Sequence, residues 1–596
     1  MNFKTKKILL SVFLVGASLA AGRAFAFSVG DSRDFNVDPS YDYTNRVSTS
    51  ATVQKVGQHA IFYAEDAWWN SLANKDEARA VINKLSDEFD NVIYPRLTSV
   101  FGLEWSPGID NEFKIIILVT KMKDKVGGYF NLADEYPRIQ SSHSNEGEII
   151  YFNSDYLTLK RAKGFLAHEF QHMITFYQKE KSRNLTEEIW LNEARSEYAA
   201  TLCGYDDEYS GSNLEKRVNE FLRTPNDSLT EWQNETADYA SVNLFMQYLA
   251  GRYGEKISTE MMRANAVGAA SIDQALSVLG YKERFRDVFT DWTIANLIND
   301  CALGNSQQFC YANNLPFARF HLTPSVTNFL SLQEGTLFFF SDSVRDWSGH
   351  WYELAPTSAA ATGAAAFNLL INFRNEDSSA SFKMPILISN ADGTRSIKYL
   401  TFDNGFSSDI ILNFGTKVKS VILIPSSQTK PAGSFANELS FGFSYAAKVT
   451  ASTQAAVLPP KPADSINSIG GTSLSLLKPN YPDGSLIRSR GDYKVYVIEG
   501  RYKRWLQSPL ILAAYPHLGW QSIIEVTPSE LDGYQTAWFI RAEGDVKVYE
   551  VNGDLTRHWL NMSAEQFSAS GRNWDTVFAV NKTERDLYRA GAEVVK

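Results

Sequence analysis

Apolar and polar positions alternate in two textures along the chain. In the first half, short runs rich in β-branched and aromatic residues alternate with amphipathic stretches. Val56–Tyr63, Phe113–Val119 (Phe-Lys-Ile-Ile-Ile-Leu-Val) and Gly147–Phe152 read as strands. From Asp76-Glu77 to Ile93, the residues Ala80, Ile82, Leu85, Phe89 and Ile93 keep a helical period. Phe165, Leu166, Met173, Ile174, Phe176 and Tyr177 supply the apolar faces of another helix, and no Pro or Gly falls between Phe165 and Lys181. Thr186 is a good N-cap, and Glu187 and Glu188 suit a first turn, so a further helix is predicted to start there. With only Lys181–Leu185 as a turn, these two helices are expected to run antiparallel. Helical spacing continues in Asn213–Leu222, Tyr239–Tyr253, Ser271–Leu279 and Glu283–Asn299. Phe27–Lys55 is polar and weakly patterned, and reads as either a remnant pro-region or an extended arm.

From Phe317 to about Val449 the texture changes. Leu337–Phe340, Trp351–Leu354, Phe367–Phe373, Pro385–Ile388, Ile397–Phe402 and Ser420–Ile424 are strand candidates split by Gly, Asn, Asp and Ser, as in an all-β sandwich or jelly roll. Thr450–Pro482, with Pro-Pro-Lys-Pro and Gly-Gly, reads as a linker. Beyond it the sequence repeats. Arg488 to Tyr496 matches Arg541 to Tyr549, Trp505 matches Trp559, Trp520 matches Trp574 and Tyr534 matches Tyr588, at a spacing of about 54 residues. Each repeat looks like a short hairpin plus a helix. The expected class is α+β: a mixed sheet with a helical subdomain over 27–315, a β-sandwich over 316–449, a linker over 450–482 and a tandem repeat over 483–596.

Composition narrows the class. At 596 residues the chain is too long for one core, and 44% hydrophobic residues are ample for several. A net charge of −10 and no basic cluster past the N-terminus argue against nucleic acid as a partner. Lys4, Lys6 and Lys7 precede an apolar run from Ile8 to Ala21 and then Ala24-Phe25-Ala26, which reads as a signal peptide, residues 1–26, cleaved after Ala26. No later segment is apolar enough to span a bilayer, so a secreted or periplasmic protein without a transmembrane segment is expected. Export permits disulfides. Cys301 and Cys310 flank a short loop and are expected to pair, leaving Cys203 free and buried.

The chemistry lies in His168-Glu169-Phe170-Gln171-His172 and Trp190-Leu191-Asn192-Glu193-Ala194-Arg195-Ser196-Glu197-Tyr198. On a helix, His168 and His172 are one turn apart on one face, the spacing that lets two imidazoles hold one zinc ion. Glu169 is rotated away from that pair but reaches a water on the metal. The antiparallel second helix brings Glu193 back as third ligand, with Glu197 one turn on to fix a ligand imidazole through its other nitrogen. Two nitrogens and one carboxylate leave a position for water, the pattern of a catalytic zinc.

HExxH followed by WLNEARSEYAA resembles the gluzincin metallopeptidases, in which a downstream Glu completes the zinc site, and most of all the hyicolysin family. Tyr94-Pro95 to Phe101-Gly102, Gly127-Gly128-Tyr129-Phe130, Ser144-Asn145-Glu146 and Tyr239-Ala240-Ser241 leading into Leu244–Leu249 support it. The resemblance covers about residues 55–254 and continues weakly to about 450; Ala194 stands where relatives often have Gly. It implies a zincin-like fold and a zinc endopeptidase acting on proteins or peptides, with a metal-activated water and Glu169 as general base. It also implies an edge strand near the metal to hold the substrate backbone, either Gly127–Phe130 or Gly147–Phe152, unless both are inner strands. By similarity Tyr239 is nominated to stabilise the oxyanion, with Tyr198 and Tyr248 as fallbacks. The repeats of 483–596 fit a cell-surface or polysaccharide ligand. The alternative is a surface adhesion protein with a relic peptidase domain, against which stand the intact ligands and base.

Overall fold

Six strands make the first sheet: β1 (Ser32–Asn36), β2 (Ser48–Val56), β3 (Ala60–Glu65), β4 (Ile115–Thr120), β5 (Gly128–Phe130) and β6 (Ile149–Asn153). Their order is β1-β2-β3-β4-β6-β5. β3, β4 and β6 are parallel, with Ala60 opposite Ile115 and Ile116 opposite Ile149. Every residue of these three strands is buried, which their unbroken apolar runs require once both faces are covered. Phe62, Ile117 and Phe152 face the helices, whereas Tyr63, Leu118 and Tyr151 pack with Phe35, Val37 and Tyr129. β5 lies antiparallel to β6 at the sheet's edge. The computed structural model describes residues 27–595 except 158–160, 306, 313–319, 358–365, 404, 430–438, 456–480, 482–483, 490–493, 501, 516–522, 527–529, 532–533, 543, 553–554, 571 and 573. The expected signal peptide and most of the expected linker therefore lie outside the described residues, as does Trp520.

Two sequence expectations need correction here. Phe27–Lys55, read as a remnant pro-region or an extended arm, is part of the sheet: it supplies β1 and most of β2, and buries Phe35, Ala51 and Val53. Its apolar residues are too few and too widely spaced to reveal two strands. Val56–Tyr63 is not one strand but the end of β2, a turn and the start of β3, with the Gly57 amide bonded to the Ala60 carbonyl at 2.8 Å.

Helices cover one face of the sheet. α1 (Asp66–Ser71) is short; α2 (Lys75–Glu88) is capped by Asn74, whose side chain accepts the Glu77 amide. A π-helical turn, Phe89–Ile93, joins α2 to α3 (Tyr94–Phe101), which carries Pro95 in its first turn and stops at Gly102, where φ is +97°. α4 (Ala162–Thr175) carries on as a π-helical turn through Lys181. α5 spans Ile189–Leu202. Thr186 is therefore not its cap, and Glu187 and Glu188 precede it. Both acids are engaged elsewhere: Glu187 takes a hydrogen bond from Arg195 at 2.9 Å, and Glu188 takes one from the Trp190 indole at 2.6 Å. The helices α6 (Asn213–Arg223), α7 (Thr236–Tyr253), α8 (Lys256–Arg263), α9 (Gly268–Val278) and α10 (Phe285–Ile298) complete this region. Trp190, Phe245, Phe285 and Trp292 meet at its centre. After α10, Cys301 and Cys310 form a disulfide. Cys203 is free and half-buried at the C-terminal end of α5.

Nine of the described strands between 326 and 450 are linked into one sheet that folds over into two layers. One holds β8 (Leu337–Arg345), β10 (Phe367–Asn375), β14 (Phe406–Phe414) and β17 (Ser440–Thr450); the other holds β7 (Val326–Leu330), β9 (Tyr352–Pro356), β12 (Pro385–Asn390), β13 (Arg395–Tyr399) and β15 (Val418–Leu423). The short pair β11 (Phe382–Lys383) and β16 (Ser426–Ser427) stands apart. The layers join through Phe414 and Val418 and share a core of Leu354, Ile371, Phe373, Ile386, Val421 and Phe443. Trp347, Trp351, Ile422 and Ile424 belong to the helical core instead, so the described residues between 27 and 455 form one compact unit.

The second unit, described from Tyr481 on, contains two sheets with one plan. The first joins β18 (Leu486–Ser489), β19 (Val495–Glu499), β20 (Tyr502–Leu506), β21 (Ile523–Val526) and β22 (Gln535–Thr536) in the order β21-β18-β19-β20-β22. The second joins β23 (Phe539–Ala542), β24 (Val548–Val551), β25 (Thr556–Asn561), β26 (Val577–Val580) and β27 (Arg589–Ala590) in the order β26-β23-β24-β25-β27.

Candidate metal centre

α4 holds His168 and His172 because its apolar residues fix which way it faces. Leu166, Ala167, Phe170, Met173 and Ile174 are buried, leaving the two imidazoles on the open side. α5 packs on it, with Trp190, Leu191, Ala194 and Ala199 buried. Gly164 lies opposite Ala200, and His172 lies opposite Glu193, so the helices are antiparallel, as expected.

Three ligand atoms converge. His168 Nε2 and His172 Nε2 are 3.1 Å apart, and Glu193 Oε2 is 3.3 Å from the first and 3.7 Å from the second. Zinc bonds of about 2.0–2.1 Å at tetrahedral angles put ligand atoms about 3.3 Å from one another, so the triangle has the right size. Glu193 Oε2 is buried and receives no hydrogen bond, the condition of an oxygen aimed at a cation. Among the described residues these three can hold a metal ion.

The remaining ring nitrogens are oriented by neighbours. Ser196 Oγ donates to Gln171 Oε1 at 2.6 Å and lies 3.1 Å from His172 Nδ1. Its proton being spent on Gln171, Ser196 accepts from Nδ1–H and leaves the Nε2 lone pair of His172 free for a metal. Glu197 Oε1 stands 3.6 Å from His168 Nδ1, a charge contact longer than a hydrogen bond. Arg217, Asn213 and Asn243 hold the Glu197 carboxylate.

Charges are strongly coupled here. Burial raises the Glu197 carboxyl, but Arg217 overrides it and brings the group down to about 2. Burial lowers His172 to about 4. For His168, burial is outweighed by the adjacent Glu193 carboxylate and by the charges of Glu169 and Glu197, and it rises to about 9. Glu169 is pushed up to about 7, chiefly by burial, with His168 pulling against Glu193. A carboxylate of that affinity suits proton transfer near neutrality. β5 passes over it: a Cβ at Gly128 would lie 3.3 Å from Glu169 Cγ.

Tyr239 sits in the first turn of α7, near this group. Burial and then the charges of Glu193 and Glu197 raise its hydroxyl. The ring packs under the Arg217 guanidinium at 4.8 Å and against Trp232, and the hydroxyl is 3.1 Å from Asn234 Oδ1. The fallback tyrosines are engaged elsewhere: Tyr248 bonds the Gln308 carbonyl and Arg252, and Tyr198 faces the charges of Glu255 and Arg96. Of the two strand candidates, β5 is the edge and β6 is inner.

Ser196, Arg217 and Tyr41 were not singled out from sequence. Ser196 lies inside the quoted motif, whereas Arg217 is indistinguishable in the run from Lys216 and Arg223. Tyr41 stacks on Tyr129 of β5 at 4.6 Å and feels the charges of Glu169 and Glu193.

No family model matches the chain. Neutral metalloprotease ShpI of Staphylococcus hyicus is 28% identical over 219 residues, covering 32% of this chain and 47% of that protein. The match thus spans about half the length of the relative. Among solved structures, the Yersinia pseudotuberculosis-derived mitogen YPM is 10% identical, with a TM-score of 0.15, over 21% of this chain and 99% of that one. The pre-peptidase C-terminal domain of collagenase from Bacillus anthracis is 13% identical, with a TM-score of 0.14, over 21% of this chain and 98% of that one. Likenesses this slight carry nothing about function.

Proposed function

We propose that the chain is an exported zinc metalloendopeptidase of the hyicolysin-like gluzincin kind. The observation that carries this is the triangle of His168 Nε2, His172 Nε2 and Glu193 Oε2, of tetrahedral-zinc size, with a buried carboxylate oxygen that nothing else satisfies. The likeness to a neutral metalloprotease supports a protease function and a protein or peptide substrate.

His168, His172 and Glu193 would hold the ion. When bound, zinc supplies a Lewis acid that polarises the scissile carbonyl and lets water attack near neutral pH. Glu169 takes the proton from that water and delivers it to the leaving amine nitrogen. The substrate backbone adds to the outer edge of β5, which carries it past Glu169. Tyr239 exchanges Asn234 for the carbonyl oxygen as charge develops there. Glu197 keeps His168 oriented and is itself held by Arg217. Among the described residues no helix is long and apolar enough to cross a membrane. The two like sheets of residues 481–595 are a tandem repeat that binds a cell-surface or polysaccharide ligand.

The test is Glu169→Gln. Hydrolysis of denatured casein should fall about 10²–10⁴-fold, while zinc by elemental analysis stays at one per chain. Stripping the metal should abolish activity, and zinc should restore it. Undiminished cleavage by the variant would end this reading.

A further inference from the structure

Three tyrosine rings are stacked across the edge of the first sheet. Tyr151 of β6 and Tyr129 of β5 are paired residues, and their rings lie 4.2 Å apart and 6° from parallel. Tyr41 lies 4.6 Å from Tyr129, at 20°. A ring held between two near-parallel rings has one on each face, and Tyr151 takes the inner face of Tyr129. Tyr41 therefore takes the outer face. β5 is the last strand of its sheet. Neighbouring strands lie about 4.8 Å apart, so the Tyr41 ring stands where a further strand would place a side chain.

The segment that carries Tyr41 is fastened in place. The Lys123 amide donates to the Tyr41 carbonyl at 2.9 Å, and Lys123 Nζ donates to the carbonyls of Pro39 and Ser40 at 3.1 and 2.8 Å. The Asp38 amide donates to Tyr129 Oη at 3.2 Å. The ring cannot move off β5 without breaking these contacts. It is nonetheless 39% exposed, against 7% for Tyr129 and 0% for Tyr151, so the stack opens to solvent at Tyr41.

The two faces of β5 look different ways. Gly128 lies against Glu169, so Tyr129, the next residue, turns to the opposite face. A peptide laid along the outer edge of β5 alternates in the same manner. Its side chain level with Gly128 points to the zinc helices, and the one opposite Tyr129 points to Tyr41. Cross-strand partners keep their Cβ atoms about 4.5–5.5 Å apart. A Cβ opposite Tyr129 fits beside the Tyr41 ring, whereas a longer side chain runs into it. The charges of Glu169 and Glu193 reach the Tyr41 hydroxyl, which keeps this ring close to the metal centre.

We propose that Tyr41 sets the specificity of one substrate position: the residue opposite Tyr129 must be Gly, Ala or Ser. The proposal rests on the reading of the chain as a peptidase whose substrate adds to β5. It assigns a substrate contact to the segment before β2, which supplies no metal ligand.

The experiment digests a proteome-derived peptide library with the full, zinc-loaded chain and reads the products by mass spectrometry. Wild type should restrict one position near the scissile bond to Gly, Ala and Ser. For two peptides that differ only there, Ala against Leu, wild-type kcat/KM should favour Ala at least about tenfold. Tyr41→Ala should bring that ratio to within about threefold, with the choice at other positions kept. Tyr41→Phe retains the ring and should retain the wild-type ratio. If Tyr41→Ala does not fold, a structure of Glu169→Gln with the uncleaved Ala peptide decides, and its Ala methyl should touch the Tyr41 ring. A wild type that cleaves, with Tyr41→Ala making the same choice at every position, would overturn the role of Tyr41 and leave the peptidase reading standing. So would a bound peptide whose side chains all lie away from Tyr41. A zinc-loaded wild type that cleaves nothing would overturn the peptidase reading, and this proposal with it.

Discussion

Glu197 and Arg217 meet through two parallel hydrogen bonds, Nε to Oε2 and Nη2 to Oε1, each 2.8 Å long. The pair is nearly buried, at 3% and 9% side-chain exposure, and its carboxylate stands beside His168. α6 is thereby tied to the metal centre, though it supplies no ligand. Arg217→Ala leaves a buried negative charge with only Asn213 and Asn243. Stability should drop by about 3 kcal/mol, and zinc affinity, measured by chelator competition, should change about 10–100-fold. An Arg217→Ala protein with unaltered zinc affinity and unaltered urea midpoint would remove Glu197 from the account of the site.

Tyr239→Phe isolates the proposed oxyanion contact. The ring and its packing under Arg217 remain, and only the hydroxyl is lost. If that hydroxyl meets the developing charge, kcat should fall about 10²–10³-fold with KM and zinc content little changed. A kcat within twofold of wild type would reduce Tyr239 to a packing residue.

How legible the site was depends on how local its determinants are. His168, Glu169, His172, Glu193 and Glu197 fall in two helices separated by a short turn, so helical periodicity alone places them together. Thr186 misled because propensity favours it as a cap, while Glu187 and Glu188 are drawn to Arg195 and Trp190 by contacts that periodicity does not encode. Arg217 and Tyr41 reach the site from segments distant in sequence, and nothing in their own neighbourhoods distinguishes them. β1 and β2 were missed for the same reason: their strand pairing, Ser32 with Thr52, is long-range and their outer positions are polar. Of the strands between 326 and 450, those that form short apolar runs bounded by turn residues, such as Phe367–Asn375 and Pro385–Asn390, were legible, whereas Phe406–Phe414 and Ser440–Thr450, which mix polar and apolar positions, were not.

Gly128 is the point at which β5 comes nearest to Glu169. A Cβ there would lie 2.6 Å from the Tyr151 carbonyl and 3.3 Å from Glu169 Cγ. The first contact is with backbone and cannot relax cheaply. Gly128→Val should therefore displace the edge strand, lowering stability by about 1–3 kcal/mol and kcat/KM by more than that loss accounts for. Equal kcat/KM in the folded fraction of the variant would show that β5 does not carry the substrate.

Acid stability should trace to the cluster that holds residues 38–46 in place. Glu65 is buried, and takes hydrogen bonds from Arg46 Nη1 at 2.5 Å, Thr120 Oγ1 at 2.6 Å and the Lys121 amide at 2.9 Å. Asp42 takes Arg46 Nε at 2.9 Å and Nη2 at 2.7 Å. Burial raises both carboxyls, but the bonds from Arg46 and its neighbours outweigh it and leave both below their ordinary values. With folded values depressed, the unfolded chain takes up protons first as pH falls. The stabilisation is therefore complete above about pH 5 and is lost below the ordinary carboxylate range, about 4 to 4.5. In Glu65→Gln/Asp42→Asn it should be missing at every pH: the variant should be about 1–3 kcal/mol less stable at pH 7, and the gap should narrow as both proteins approach pH 3. Urea midpoints at intervals from pH 7 to 3 give the difference curve. A gap that stayed constant across that range would mean the two carboxyls titrate alike in the folded and unfolded chain, and that Arg46 does not set their charge.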